Sequence, residues 1–447
     1  MFEILLGLTA IVSIVALILT YEGNRDIFHP LFFICPMFLF LYCWMPWRLH
    51  QSGSLESYFD QEQLFFIQVL YLLGTLTFVC ACLAGGWQIP RSRFAPALAL
   101  SRPSEDRLVW GGTATGLIGL AAWFVAIHNV GGFAAAFSQS HTGGWDDSGY
   151  VRDSSLLLLS GCALLLASMS GRAVRLRQYL LLALFALPWT VQALLASRRG
   201  PTFAIGAVLA IGWFLHRNKR PPLILTAVIG LGMGYLILFL VANRGSIHLG
   251  SDYDFKSDVS ASVETADTGN EYIYGGGSIL AARRKGHYFW GRRYLAQILV
   301  RPVPSSIWPT KYEDFGVPEL RFNAGTGEGF GDSLGWEGAV GSAPGLIADL
   351  WIEGAWLSLG FLAALGFAYG RIWRLAVERG GIWSTQYVIL AALSIYLVMQ
   401  TMEAVIFRTL LLSIPAWAVW RWALAAKESE PARSWGALPG VALREAR

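Results

Sequence analysis

The 447-residue sequence predicts an all-α, polytopic membrane protein with about eleven transmembrane helices, on three observations. Apolar residues make up 55% of the chain and charged ones only 14%, against about 45–50% and about 25% in soluble domains. Long apolar runs recur, each near the ~20 residues that cross a bilayer core as a helix. The connections between them alternate between Arg-rich and Arg-poor. This composition excludes a soluble enzyme, a nucleic-acid binder and a disordered scaffold. The formal net charge of +4 is small, so the placement of charge carries more information than its size.

Taken in order, the expected spans are 2–20, 30–47, 64–85, 108–127, 154–170, 178–196, 201–216, 222–242, 344–372, 386–401 and 405–424. In each, a helix satisfies its own backbone groups, as hydrocarbon requires. The first run has neither a basic leader nor a small-residue cleavage site, and reads as a retained helix. Pro36, Pro46, Pro188 and Pro415 fall inside spans, where neighbouring helices or water take up the freed carbonyls. Cys35, Cys43, Cys80, Cys82 and Cys162 all lie in apolar runs, with no metal spacing and no disulfide framework. On this division residues 1–243 carry spans one to eight and 244–343 form one long extracytoplasmic loop. Residues 344–424 carry spans nine to eleven, and 425–447 form a disordered cytoplasmic tail.

Four connections concentrate arginine: Arg91 to Arg107, Arg172 to Arg177, Arg217 to Arg220, and Arg371 to Arg379. The positive-inside rule makes these cytoplasmic, which puts the N-terminus outside and the C-terminus inside. Two short exterior turns break the rule by carrying Arg198 and Arg199, and Glu403 with Arg408. Charge kept against a topological bias calls for a reason, and binding an anion at the outer surface supplies one. Within the long loop, residues 251–272 are acidic and polar, and read as mobile. The basic stretch after them has helical apolar spacing at Tyr294, Ile298 and Leu299, the pattern of a helix lying on a membrane surface.

The residues with chemical potential are the outer cations. Arg198, Arg199, Arg244, Arg292, Arg293, Arg301, Lys311 and Arg408 come from separate helix ends and from the loop. Arginine near membrane depth is costly unless it is paired or lines a wet cavity. A guanidinium also forks onto phosphate oxygens with two parallel hydrogen bonds. Several converging would clamp a pyrophosphate. The competing reading is snorkelling to the headgroups, or pairing with Glu403, Glu328 or Asp349. Trp308 suits either stacking on a sugar or the interfacial aromatic belt. Glu328, Asp332, Glu337 and Glu403 are the possible bases for deprotonating a hydroxyl, and nothing in the sequence ranks them.

These residues resemble the Wzy-type polymerases of O-antigen, enterobacterial common antigen and related exopolysaccharides. The matching elements are Arg199-Gly200 opening a helix, Val303-Pro304-Ser305-Ser306-Ile307-Trp308-Pro309 followed by Lys311, Ala343-Pro344-Gly345-Leu346-Ile347 with Gly354, and Phe407-Arg408. The resemblance implies a bacterial inner-membrane glycosyltransferase of the broad GT-C type. It implies polymerisation of undecaprenyl-pyrophosphate-linked oligosaccharide repeat units on the periplasmic face, without nucleotide sugar, metal or other cofactor. Donor and acceptor are lipid-linked glycans, and a chain-length regulator is an expected partner. The family's essential arginines carry over to Arg199 and Arg408 as catalytic residues, and after them to Arg244 and Arg301 as substrate contacts. From this chain's own residues, Glu403 is the catalytic acid expected beside them, and Arg198, Arg292, Arg293, Trp308 and Lys311 are the further substrate contacts. Where some members carry a further Arg before the last span, this chain has Gln400, Thr401 and Met402.

Two alternatives stay open. An O-antigen ligase uses the same donor with a different acceptor, although the Trp-Pro element leans toward a polymerase. A transporter or flippase of lipid-linked glycan also needs arginines in a cavity, but at midplane, whereas these cluster at exterior helix ends. A polyprenyl-phosphate-sugar transferase fits less well, since Glu22 and Asp26 fall on the inner side.

Overall fold

The computed structural model describes residues 1–87, 103–138, 149–170, 174–196, 198–243, 245–252, 254–255, 271–317 and 343–428. Every regular element among them is helical. The long helices are α1 (Phe2–Asn24), α2 (Leu31–Gln51), α3 (Gln61–Gly86), α4 (Glu105–Asn129), α5 (Gly149–Ser168) and α6 (Leu176–Leu195). They continue with α7 (Arg199–His216), α8 (Leu223–Ala242), α9 (Glu271–Lys285), α10 (Gly345–Arg379), α11 (Ile382–Met399) and α12 (Met402–Glu428).

By length and composition, ten helices among the described residues can cross a membrane, one fewer than about eleven. Of the expected spans, the one outside that set is the seventh, α7. Its 18 residues open on Arg199-Gly200-Pro201-Thr202 and close on His216, which dilutes their apolar character. The tail is corrected at its start, because α12 carries on helically through residues 425–428. Residues 429–447, Arg244, and the acids Glu328, Asp332 and Glu337 lie outside the described residues, as does most of the acidic stretch 251–272.

Helix α11 sits at the centre, almost wholly enclosed by α7, α10, α12, α2 and α5. At the periphery, α8 turns nearly all of its surface outward, with Ile224 and Leu231 more than three-quarters exposed. That pattern suits lipid contact. The tightest pairing, α3 with α10, depends on missing side chains: a Cβ on Gly85, Gly366 or Gly370 would collide with backbone of the facing helix. Small residues at such crossings let backbones approach and gain dispersion contacts, the main attraction available where lipid removes the hydrophobic effect.

Helix α2 illustrates how an internal proline is absorbed. Phe40–Trp44 widens into a π-helical turn just before Pro46, which has no N–H to offer Tyr42. The Tyr42 carbonyl instead accepts from Gln68 Nε2 of α3 at 3.1 Å. Gln68 also donates to Thr9 of α1 and accepts from the Tyr272 hydroxyl of α9, both at 3.1 Å. One buried amide therefore joins four elements in the bundle interior, with its polar atoms satisfied as burial demands.

The polar contacts fall into two sets that alternate with helix direction. At one end Arg220 forks onto Asp26 at 2.7 and 2.8 Å, Arg107 donates to the Trp422 carbonyl, and Arg175 meets Asp106. These are the Arg-rich connections. The opposite end carries α9, residues 286–317 and the arginines of the short turns. There α9 departs from expectation, for it is no surface helix: Glu271 to Ala282 is buried almost throughout, against α3 and α10. A Cβ at Gly275 would strike the Pro344 carbonyl and the Tyr71 hydroxyl, so glycine permits the close seat. Residues 292–300 that follow do expose Leu295, Ile298 and Leu299 while burying Arg293 and Gln297. They form a one-turn helix continuing into a π-helical turn.

Candidate functional site

The cations at this end divide into two groups with opposite surroundings. The first centres on Arg293, fully buried, which sequence reading assigned to substrate. Its guanidinium meets Asp349 at 2.7 Å and Glu353 at 3.3 Å, both on the first turns of α10, and pairs with Glu403 of α12. Asp349 and Glu353 stand four apart and share a helix face, which is why one guanidinium reaches both. Tyr294 donates to Asp349 at 2.7 Å, and the Met402 and Gly291 amides donate to Asp349 and Glu353. Burial, and then the Asp349 carboxylate, hold the Tyr294 hydroxyl well above its ordinary pKa, so it stays a donor. Burial alone would lower the pKa of Arg293, but the surrounding carboxylates outweigh it and raise it.

This knot corrects two sequence assignments. Glu403 is fully buried against Arg293, so its carboxylate has no open side on which to meet a sugar hydroxyl. Arg293 spends its fork on three acids rather than on a ligand. The knot clamps residues 289–295 to two transmembrane helices, reinforced by the Phe289 and Trp290 amides donating to carbonyls of Ile352 and Glu353.

The second group is the arginine rim. Arg198 and Arg199 form the turn into α7, whose next residue, Gly200, leaves room for the Tyr396 ring where a Cβ would otherwise lie. Arg408, half-buried in the second turn of α12, stacks over the other side of this neighbourhood with its guanidinium 4.4 Å from the Tyr396 ring centre. It donates to Gln400 at 3.3 Å, and among the described residues no carboxylate is within ion-pair distance of it. Arg301, Arg152 and Asp153 lie within electrostatic reach of Arg408, and Arg198 within reach of Tyr396. Arg301 pairs with Asp153 at the start of α5, bonds Gln297 at 2.9 Å, and lies 4.0 Å over Phe407. Arg199 pairs with the buried Glu271 that opens α9.

Of the sequence-derived residues, Arg198 and Arg408 lie about Tyr396 and Arg301 lies within reach of Arg408, while Arg199, next in the chain to Arg198, turns to Glu271. They are accompanied by Arg152, Asp153 and Glu271, which sequence reading missed. No periodic or motif signal marks Asp153 or Glu271, and Arg301 and Arg199, which they meet, are far away in the chain. Lys311 sits beside the rim but is committed to structure, donating to the Tyr150 hydroxyl at 3.1 Å and to the Arg301 and Val303 carbonyls. Trp308 is half-buried and donates to Asp314 at 2.6 Å, as does Thr310 at 2.7 Å. Those two bonds hold the Asp314 carboxyl below its ordinary pKa and brace the Pro-punctuated turn. Arg292 is exposed and lies beside Gly316.

Chemically the rim is a cluster in which guanidinia outnumber carboxylates, walled by Tyr396 and Phe407 and partly shielded from water. Such a site favours an anion with several oxygens, because each fork delivers two charge-assisted hydrogen bonds. Compared with protein-family models, curated proteins and solved structures, the chain matches none of them.

Proposed function

We propose that the chain is a bacterial inner-membrane glycosyltransferase of the broad GT-C type, with its N-terminus outside and its C-terminus in the cytoplasm. In this reading it polymerises undecaprenyl-pyrophosphate-linked oligosaccharide repeat units at the arginine rim, on the periplasmic face. The observation that carries the reading is Arg408, a half-buried cation at a span end, stacked on Tyr396 beside Arg301, with Asp153 in electrostatic reach but no carboxylate within ion-pair distance among the described residues. A cation at that depth is expensive unless something anionic visits it.

The chemistry follows from the donor. An acceptor sugar hydroxyl attacks the anomeric carbon, the bond to the pyrophosphate oxygen breaks, and undecaprenyl pyrophosphate leaves with the bonding electrons. Negative charge grows on the leaving group, where preorganised guanidinia in a water-poor site stabilise it. The hydroxyl proton passes to a carboxylate. Asp153, joined to Arg301 and within reach of Arg408, takes this place in our reading, in preference to the enclosed Glu403.

The test is elongation in liposomes containing purified protein and a lipid-linked repeat unit, read as a ladder on a gel. Arg408→Ala is expected to lose about 10²–10³-fold in rate, the usual cost of removing one charge-stabilising donor. An undiminished ladder from Arg408→Ala overturns the proposal. In cells lacking the gene, loss of ladders with single-unit caps retained supports a polymerase, whereas loss of all caps points to a ligase or flippase.

A further inference from the structure

The end of the bundle that carries the rim also holds a cleft of about 390 Å³, between the start of α3 and the C-terminal half of α9. Its lining includes Tyr58, Phe59, Gln63, Arg283 and Arg284, and Gly277 leaves its wall open. Phe59 is buried, whereas Tyr58 is 43% exposed. The Arg283 guanidinium lies 4.0 Å over the Phe66 ring, which restricts its orientation. Among the described residues neither Arg283 nor Arg284 has a carboxylate within ion-pair distance. Arg283 and Arg284 are both exposed and bring the same charge to one concave wall, where an anion in the cleft would offset it.

Helix α9 links this cleft to the rim. Glu271 at its first turn holds Arg199, and Arg283 stands twelve residues further on, about 18 Å along the axis. An apolar chain in the cleft would desolvate two cations without compensation. A neutral sugar would use the aromatic wall but leave both charges idle. A sugar ring carrying a carboxylate uses everything present: its C–H face lies on Tyr58, and its acid accepts from the paired guanidinia. We propose that this cleft binds a hexuronic acid unit of the glycan, with Arg283 and Arg284 on the carboxylate and Tyr58 against the ring. The proposal rests on the polymerase reading only for what the sugar is attached to.

The experiment is direct binding by calorimetry, using full-length protein in phosphatidylcholine nanodiscs and two probes, a galacturonate and a glucuronate tetrasaccharide. At least one acidic probe is expected to bind the wild type, and maltotetraose is not. The Arg283→Gln, Arg284→Gln double variant should bind at least tenfold more weakly, and Tyr58→Ala, an exposed substitution, should weaken the same probe with folding intact. Failure of both acidic probes, or equal affinity for the double variant, overturns the proposal. Displacement of the tetrasaccharide when phosphatidylglycerol replaces phosphatidylcholine assigns the arginines to lipid headgroups and overturns it too. Arg408→Ala keeps the two readings apart, since it should bind the acidic probe normally. Binding without elongation in the wild type sinks the polymerase reading alone; elongation without binding sinks the cleft alone.

Discussion

Replacing Arg293 by glutamine tests the account of the buried knot. The side chain has no exposure to solvent, and its three acidic partners are 0–1% exposed. Asp349 retains Tyr294 and the Met402 amide, and Glu353 retains the Gly291 amide, but the charge that balances them disappears. Removing one partner of a buried ion pair costs about 3–5 kcal/mol, because the remaining charge has neither water nor counter-ion. That is a large part of a typical total stability of about 5–15 kcal/mol. The loss falls on a local opening, since the knot is what joins residues 289–295 to α10 and α12. Opening by about 3–5 kcal/mol less corresponds to amide exchange about 10²- to 10⁴-fold faster. Hydrogen-exchange mass spectrometry of peptides covering Phe289 to Val300 reads this directly, with the Arg220 end of the bundle as an internal control. Adding Glu403→Gln to Arg293→Gln should return part of the protection, by removing one uncompensated carboxylate. Exchange unchanged from the wild type, or a double variant worse than the single one by the full cost of Glu403→Gln alone, refutes the reasoning.

Other substitutions test the rim and the bundle. Arg408→Lys keeps the charge but loses the planar fork, so elongation should fall while the melting temperature stays within error; a fully active Arg408→Lys removes bidentate recognition from the argument. Gly200→Ala drives a methyl into the Tyr396 ring and should cost about 1–3 kcal/mol of stability, seen as a lowered melting temperature; an unchanged melting temperature means the ring moves freely. Gln68→Leu strands the Tyr42 carbonyl and the Tyr272 hydroxyl, with an expected loss of about 1–3 kcal/mol in thermal unfolding, and a neutral outcome shows that the network is not needed. Asp153→Asn should reduce elongation without releasing bound pyrophosphate, measured by equilibrium binding; full activity excludes Asp153 as the proton acceptor.

Particular residues show where reading the sequence stops. That Arg198, Arg199 and Arg408 stand out is legible, because each breaks the charge bias of its own turn. That Arg293 belongs to a knot is not, since the same basic run offers Arg283, Arg284, Arg292 and Arg293 with nothing local to separate them. The structure divides these four: Arg293 is buried against three acids, whereas Arg283, Arg284 and Arg292 are exposed, the first two lining a cleft. Helix α9 is a similar case. Its triple glycine and low apolar content give no sign of a buried helix, yet glycine at position 275 is what admits it between α3 and α10.

Sequence alone determined that the chain is built of apolar helices long enough to cross a membrane, ten of them among the described residues, because that property is local: an apolar run must close its own hydrogen bonds in hydrocarbon. Pairing was decided by tertiary structure. Arg301 meets an aspartate 148 positions away, and Arg220 one 194 positions away. Which cation finds a carboxylate, and which does not, depends on how the helices pack side by side, and no stretch of chain shorter than the whole bundle carries that information.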